Sequence, residues 1–372
     1  MLKILTVTGS RSEYDLLYPL LKRLEDHKLF DLNILICGSH LNENFGNTIN
    51  YIKQDKFKNL LRLKSILKNN DNDNDNDNDI QIFNSYNYLN KSIAKVLTKK
   101  KIDILLVLGD RFEAHASSIA AYFLKKPIIH IGGGDTSYGS MDEFFRNSIS
   151  IMSNLHFPKI LKHKQKLMKL GVDKKTICVA GSLSNENHIS NFKNNFIIKK
   201  PFVLATFHPV TNTKKKKDND ISDLLKALAS YKKLNVIFTA SNHDSGGSHI
   251  NDKIIKYVKK NKNFIFVPNL GRKLYHQAMN NCEFMIGNSS SGVIESMIYK
   301  KPSINILPRQ LGRKGNSNII HCNNEYDFIV KSINKALSKN FKNKCHDMIN
   351  IFLNRKKIPS LIIINQIIKK YG

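Results

Sequence analysis

Residues able to bind an anion or move a proton recur at one kind of place in this sequence, directly after a short apolar run. Arg11 stands in Thr8-Gly9-Ser10-Arg11, and Asp110 and Arg111 follow Leu105-Leu106-Val107-Leu108-Gly109. His130 closes a run before Gly132-Gly133-Gly134-Asp135, with Asp142, Glu143 and Arg146 shortly beyond. Later, His208 follows Ala205-Thr206-Phe207, Ser241-Asn242-His243-Asp244 follows another run, and Arg309 and Arg313 follow Ile304-Asn305-Ile306. Any one of these alone reads as a cap, a turn or a surface ion pair, and His130 alone as a hydrogen-bonded core histidine. As a set they say more. Arginines can hold a diphosphate, while several aspartates and a histidine supply proton transfer near neutral pH.

The stretch Gly287-Asn288-Ser289-Ser290-Ser291-Gly292-Val293-Ile294-Glu295 belongs with them. It reads as a turn from an apolar strand into a helix at 293–299, which puts Ser289, Ser290, Ser291 and Gly292 at a helix N-terminus. Free N–H groups and hydroxyls there can hold a phosphate. Glu295, one turn in, suits paired neutral hydroxyls such as those of a ribose. The plain alternative is a capping serine with a first-turn glutamate, as many helices have.

These residues need strands whose ends point one way. The first half alternates apolar runs at Leu2–Thr8, 32–37, 102–108 and 127–131 with amphipathic stretches at 16–24, 86–97 and 114–124, the pattern of a parallel sheet with crossover helices. A helix at 160–170 ends at Gly171, and 176–180 reads as one more strand. A polar stretch follows, and a second series begins at Pro201. Its strands are Phe202–Thr206, 236–239, Phe264–Val267, 282–286 and Ser303–Ile306, with helices at 221–231, 250–260, 273–280 and 293–299. The expected organisation is α/β, two doubly wound domains over 1–185 and 186–350. Ligands bind at the carboxyl ends of such strands, so a cleft shared by the two domains is the expected site. Residues 69–79, where Asp and Asn alternate from Asp71, read as a low-complexity loop. They depart from a calcium loop at Asn76 and Ile82.

Composition limits the function classes. A chain of 372 residues with 41% apolar content supports two cores. No run is long and apolar enough for a membrane span, and the N-terminus is strand-like, so a cytoplasmic location is expected. Cys37, Cys178, Cys282, Cys322 and Cys345 stand singly, without zinc spacing, and read as reduced thiols. The net charge of +29 admits nucleic acid as a partner, and a non-catalytic nucleotide or RNA binder is the alternative from another class. But the lysines are spread through the chain, and the one dense block, 214–217, lies in a loop. The charge reads instead as favouring acidic small molecules, with no nucleic acid or membrane partner.

With the positions above in view, the chain resembles the hydrolysing UDP-N-acetylglucosamine 2-epimerases, in particular their bacterial sialic-acid and legionaminic-acid branch. The resemblance rests on Val7-Thr8-Gly9-Ser10-Arg11-Ser12-Glu13-Tyr14, Phe45-Gly46-Asn47-Thr48-Ile49, Leu108-Gly109-Asp110-Arg111-Phe112-Glu113 and His130-Ile131-Gly132-Gly133-Gly134-Asp135. It continues through Asp142-Glu143-Phe144-Phe145-Arg146, Phe207-His208-Pro209, Asn288-Ser289-Ser290-Ser291-Gly292 and Arg309-Gln310-Leu311-Gly312-Arg313. These run in order over nearly the whole chain. The resemblance implies a glycosyltransferase-B-like fold of two Rossmann-type domains with a C-terminal helix in 351–372 packing back on the first, a homodimer, a nucleotide-sugar substrate, and elimination of UDP to a 2-acetamidoglucal followed by hydration to N-acetylmannosamine.

By matching position, Ser289 and Ser290 would hold phosphate and Glu295 the ribose. Arg11, Arg111 and Arg309 would meet the diphosphate charge, and His130, Arg146, Ser241, Asn242, Ser291, Gly292 and Arg313 would complete the binding set. Asp110, Asp135, Asp142 and His208 would be catalytic, with no metal and no cofactor, since arginines can neutralise the leaving group. The chain departs from the family at Gly132, where several members carry a glutamate, at Asp135, which replaces a glutamate, and at Asn147, where histidine is common. The first two touch the catalytic loop and leave a second substrate open, a nucleotide-linked 2,4-diacetamido-2,4,6-trideoxy hexose.

Overall fold

The computed structural model describes residues 1–41, 48–63, 75–187, 200–213, 215–242, 246–353 and 358–372, with the side chains of 75–79 and 216 excepted. The chain divides into two compact units. The first comprises Met1–Asp135, Asp142–Asn187 and Phe352–Gly372, and the second Thr136–Met141 and His188–Ile351.

The first unit is built on a parallel sheet of β1 (Leu2–Thr8), β2 (Phe30–Ile36), β3 (Asn59–Arg62), β4 (Ile104–Leu108), β5 (Ile128–Ile131) and β6 (Leu155–Phe157), in the order β3-β2-β1-β4-β5-β6. Strand alternation sends Ile4, Ile104 and Leu106 to one core, and Leu5, Val7, Leu105 and Val107 to another. Both faces are covered, which is why these strands read as continuous apolar runs. Tyr14, Leu17, Leu20, Leu21 and Leu24 of the helix Arg11–Asp26 pack on the first face, together with Ile363 and Ile367 of Pro359–Tyr371. Leu89, Ile93 and Leu97 of Asp75–Lys99 and the alanines of Phe112–Phe123 close the other.

The second unit repeats the plan with β7 (Phe202–Thr206), β8 (Asn235–Thr239), β9 (Phe264–Val267), β10 (Met285–Gly287), β11 (Ser303–Ile306) and β12 (Ile319–Cys322). The order is β12-β11-β10-β7-β8-β9, again parallel throughout. Val203 and Ala205 face the helices Ser222–Ala229 and Tyr326–Leu337, and Phe202 and Leu204 face Gly271–Asn281. In both sheets the order reverses beside the first strand of the unit, at β1/β4 and at β7/β10. There the turns leaving neighbouring strands diverge and open a crevice.

Several elements differ from the sequence reading. Residues 176–180 form no strand: a 3-10 turn, Lys174–Thr176, leads to a single bridge between His156 and Ile177, because β6 is three residues long and Pro158 has no N–H to continue the ladder, although its carbonyl accepts the Ala180 N–H at 3.1 Å. Residues 75–79 belong to the helix Asp75–Lys99 rather than to a loop. Residues 69–74, 45–47, 188–199, Lys214, His243 and Asp244 lie outside the described residues.

The helix expected at 293–299 is instead Ser290–Ile294 followed by a 3-10 turn, Ser296–Tyr299. There the Ser296 hydroxyl donates to the Gly292 carbonyl at 2.7 Å and competes with the backbone ladder. The segment Thr136–Met141 sits with the second unit, although a single span of 1–185 was expected. Its Tyr138 N–H donates to the Leu311 carbonyl at 2.9 Å, and Asn212 donates to the Tyr138 carbonyl at 2.9 Å. No described helix is long and apolar enough to cross a membrane.

Candidate active site

In the first unit the chemistry gathers at the carboxyl ends of β1, β4 and β5. Gly109, with φ +79°, turns the chain after β4 so that Asp110 and Arg111 leave the strand end. Asp110 is partly accessible, its side chain 21% exposed, while its partner Arg146 is 1% exposed on the helix Asp142–Met152. Arg146 Nε donates to Asp110 Oδ2 at 2.9 Å, and its Nη1 donates to Glu143 at 2.7 Å and to the Asp135 carbonyl at 3.1 Å. Burial alone would lower this guanidinium, but Asp110, Asp135 and Glu143 together hold it above its ordinary value. The cation is permanent, and it pairs with Asp110.

Asp135 lies deeper. It is 2% exposed, with Lys159 Nζ on one oxygen at 3.1 Å and His163 Nε2 by the other at 3.5 Å. Lys166 donates to the Asp135 carbonyl at 2.8 Å and bridges to Glu143. Asp135 is thus an internal anchor of the loop in this structure, whereas Asp142, half-buried at the first position of its helix, lies nearer the surface.

His130 is fully buried with both ring nitrogens occupied. Nε2 lies 2.8 Å from the Gly109 carbonyl and Nδ1 3.0 Å from the Ser150 hydroxyl, and burial pushes the ring down to about 3. It fixes the turn that carries Asp110. Gly132 has φ +85°, and a Cβ there would meet Gly109 N and Lys159 Cε no closer than 3.8 Å.

Arg11 begins the helix after β1, 3.7 Å from Asp15, and Arg111 donates from Nε to Glu113 at 3.0 Å. Two residues gain importance that the sequence reading quoted only inside motifs, Glu13 and Glu113. Both are buried carboxyls at the β1/β4 crevice.

In the second unit the turns after β7 and β10 are stitched together. Asn288 is 1% exposed, and its Oδ1 accepts from the His208 N–H at 2.6 Å while its Nδ2 donates to the His208 carbonyl at 2.7 Å. Gln310 donates to the Asn288 carbonyl at 3.0 Å. The Asn242 N–H donates to His208 Nδ1 at 3.0 Å, so the neutral ring carries its proton on Nε2 and presents a donor there. Asn288 was legible only as part of the serine turn; what marks it is its two-sided grip on a histidine backbone.

The serines bond mainly to one another and to Tyr275: Ser289 caps the Ser291 N–H at 3.4 Å, and the Ser291 hydroxyl lies 2.6 Å from Tyr275. Because the helix they begin is five residues long, a helix dipole adds little, and their hydroxyls carry the anion reading. Gly292 and Glu295 are half-buried in the same short helix and its cap. Arg309 is buried, with Nε donating to the Pro209 carbonyl at 3.0 Å, and Arg313 is half-buried. Ser241 is buried, and its N–H is taken by Asn251 at 2.7 Å.

Comparison with known proteins gives this arrangement a context. A family model described as UDP-N-acetylglucosamine 2-epimerase matches residues 22–357. The chain is 33% identical to the GDP/UDP-N,N'-diacetylbacillosamine 2-epimerase (hydrolyzing) of Campylobacter jejuni, covering 91% of this chain and 88% of that one. It is also 33% identical to the polysialic acid biosynthesis protein P7 of Escherichia coli, over 92% and 88%. In structure it is similar to the UDP-GlcNAc 2-epimerase of Neisseria meningitidis bound to UDP-GlcNAc, with a TM-score of 0.79 over 99% of this chain and 100% of that one at 18% identity. Its two units are thus Rossmann-type, in a glycosyltransferase-B-like fold.

Proposed function

The chain belongs to the UDP-N-acetylglucosamine 2-epimerase family and is an enzyme, and on that premise we propose that it is a hydrolysing 2-epimerase of a UDP-linked 2-acetamido sugar. The observation that carries this reading is Asp110, a partly accessible carboxylate paired at a strand end with the buried Arg146. Asp110 takes the proton from C2 while the C1–O bond breaks and UDP leaves with the bonding pair, giving a 2-acetamidoglucal. Water then adds across that double bond, hydroxyl to C1 and a proton to C2 from the opposite face, and the free 2-epimer departs. Asp142 serves the second proton transfer, and Asp135 keeps the loop in register through Lys159.

His208 Nε2–H donates to the leaving phosphate. Its Nδ1 already accepts the Asn242 N–H, so the ring is a donor rather than a base. Arg11, Arg111 and Arg309 take the diphosphate charge, Ser289 and Ser290 phosphate oxygens, and Glu295 the ribose hydroxyls. We take the sugar to be N,N'-diacetylbacillosamine, the 2,4-diacetamido-2,4,6-trideoxy hexose, on the strength of the 33% identity to the Campylobacter enzyme and the side-chain-free Gly132. N-acetylglucosamine is the second reading, favoured by the description of the family model.

Incubation with each UDP-sugar, and with the GDP-linked diacetamido sugar, in deuterated water is the test. The expected outcome is release of UDP and a sugar carrying one deuterium at C2 from the diacetamido substrate. Turnover of UDP-N-acetylglucosamine alone moves the assignment to the second reading, and products without C2 deuterium defeat the mechanism. Asp110→Asn is expected to lower kcat by about 100-fold or more, as loss of a positioned base does.

A further inference from the structure

The proposed chemistry leaves two buried carboxyls unused, and both converge on the turn after β1. Glu13, on the helix Arg11–Asp26, is 5% exposed; its Oε2 accepts the Gly9 N–H at 2.8 Å, and its Oε1 has no hydrogen-bond partner among the described residues. Glu113, on Phe112–Phe123, is 1% exposed and accepts from Arg111 at Nε (3.0 Å) and Nη2 (3.4 Å). A Cβ added at Gly9 would overlap the Glu113 carboxyl, and one at Gly38 would lie 2.6 Å from its Oε1. One acid therefore holds the N–H of Gly9 while the other lies against its Cα.

Two negative charges this close, with one arginine between them and water excluded, cannot both be stable. Burial, and next the charge of Glu113, push Glu13 up to about 8. Asp110 adds to the rise, and the Gly9 N–H and Arg111 oppose it. The other titratable groups facing the pair are neutral: the Cys37 thiol, raised by burial and by both glutamates, and His40, pushed down to about 3 by burial with Arg111 and Arg11 contributing.

We propose that Glu13 and Glu113 hold one proton between them and act together as positioning residues, fixing Arg111 and the Thr8–Arg11 turn. With Glu13 neutral, the single charge on Glu113 is matched by Arg111 and anchors it. Ionising Glu13 adds a second anion beside the first, pulls Arg111 two ways and loosens the turn. The inference rests on the epimerase reading only in giving Arg111 the diphosphate.

Infrared difference spectra of the full chain, wild type against Glu13→Gln at pH 7, test the proton, and turnover tests the positioning. The expected spectrum shows a protonated-carboxyl C=O stretch in the wild type that is absent in the variant and that fades in the wild type as pH rises through about 8. Glu113→Gln is expected to raise KM for the UDP-sugar about tenfold with a smaller change in kcat. The ratio of kcat/KM at pH 9 to that at pH 7 is expected to be at least about fivefold higher in Glu13→Gln than in the wild type. Identical spectra overturn the shared proton, and an unchanged pH profile, or a loss in kcat alone for Glu113→Gln, overturns the positioning role. If no nucleotide sugar is turned over, the epimerase reading falls and the spectra still decide the pair.

Discussion

Arg146 is the residue on which the first unit's charges depend. It is fully buried and bonds to Asp110, Glu143 and the Asp135 carbonyl, so removing it takes the guanidinium from two carboxylates at once, with Glu143 keeping its bridge to Lys166. Arg146→Leu is therefore expected to destabilise by about 3–5 kcal/mol in urea unfolding, and Arg146→Lys by less, because one ammonium cannot serve the whole fork. Glu13 gives a pH dependence whose sign follows from its direction. Its folded value, about 8, lies above its ordinary 4.5, so the folded state holds a proton that the unfolded state has lost in that window. The stability that the Glu13 proton contributes should be whole below about pH 4.5 and be lost as pH rises to about 8, at roughly 1.4 kcal/mol per pH unit at most. The melting temperature of Glu13→Gln, measured against the wild type across that range, should gain steadily. Most of the charged site was visible in sequence because each member follows an apolar run. Asp135 and His130 were visible as residues but not as anchors: only packing reveals that Lys159 and the Gly109 carbonyl occupy them.

At the level of elements, the long apolar runs were read correctly, since strands covered on both faces must be apolar throughout. β3, β6 and β12 were not, because each is only three or four residues long and all three sit at sheet edges. Short edge strands carry too few apolar positions to stand out from loops. The turn at Gly287 shows how tightly the second crevice is built. Its φ is +135°, and a Cβ there would overlap the Thr206 carbonyl oxygen of the neighbouring strand. Gly287→Ala should destabilise by about 2–4 kcal/mol, read by thermal melting, since either β7 or β10 must shift. Asn288→Ala removes both bonds to the His208 backbone and should lower kcat by about tenfold or more through a misplaced ring.

For the molecule as a whole, two sheets of the same order mean two independent cores, and the chain returns from the second unit to finish the first. Ile363 and Ile367 of the last helix, Pro359–Tyr371, are fully buried among residues of β1, β2 and the helix Arg11–Asp26. A chain ending before Pro359 would lose about 3–6 kcal/mol from these two side chains alone, comparable to the whole stability of a domain. It should melt at lower temperature and yield little soluble protein. The last helix was expected only from the family resemblance, and the Thr136–Met141 excursion not at all. Its membership is decided by backbone bonds to Leu311 and Asn212 that no local pattern announces.

The stitch between the turns after β7 and β10 also sets an order of events. His208 and Asn288 are 80 residues apart, and Gln310, which holds Asn288 in turn, is a further 22 along. Closing such a loop costs entropy that only the completed contact repays, so this corner should be among the last parts of the second unit to organise during folding. A growing chain would hold a finished first turn, with its histidine already made, and remain without a working histidine until more than 100 further residues had been added.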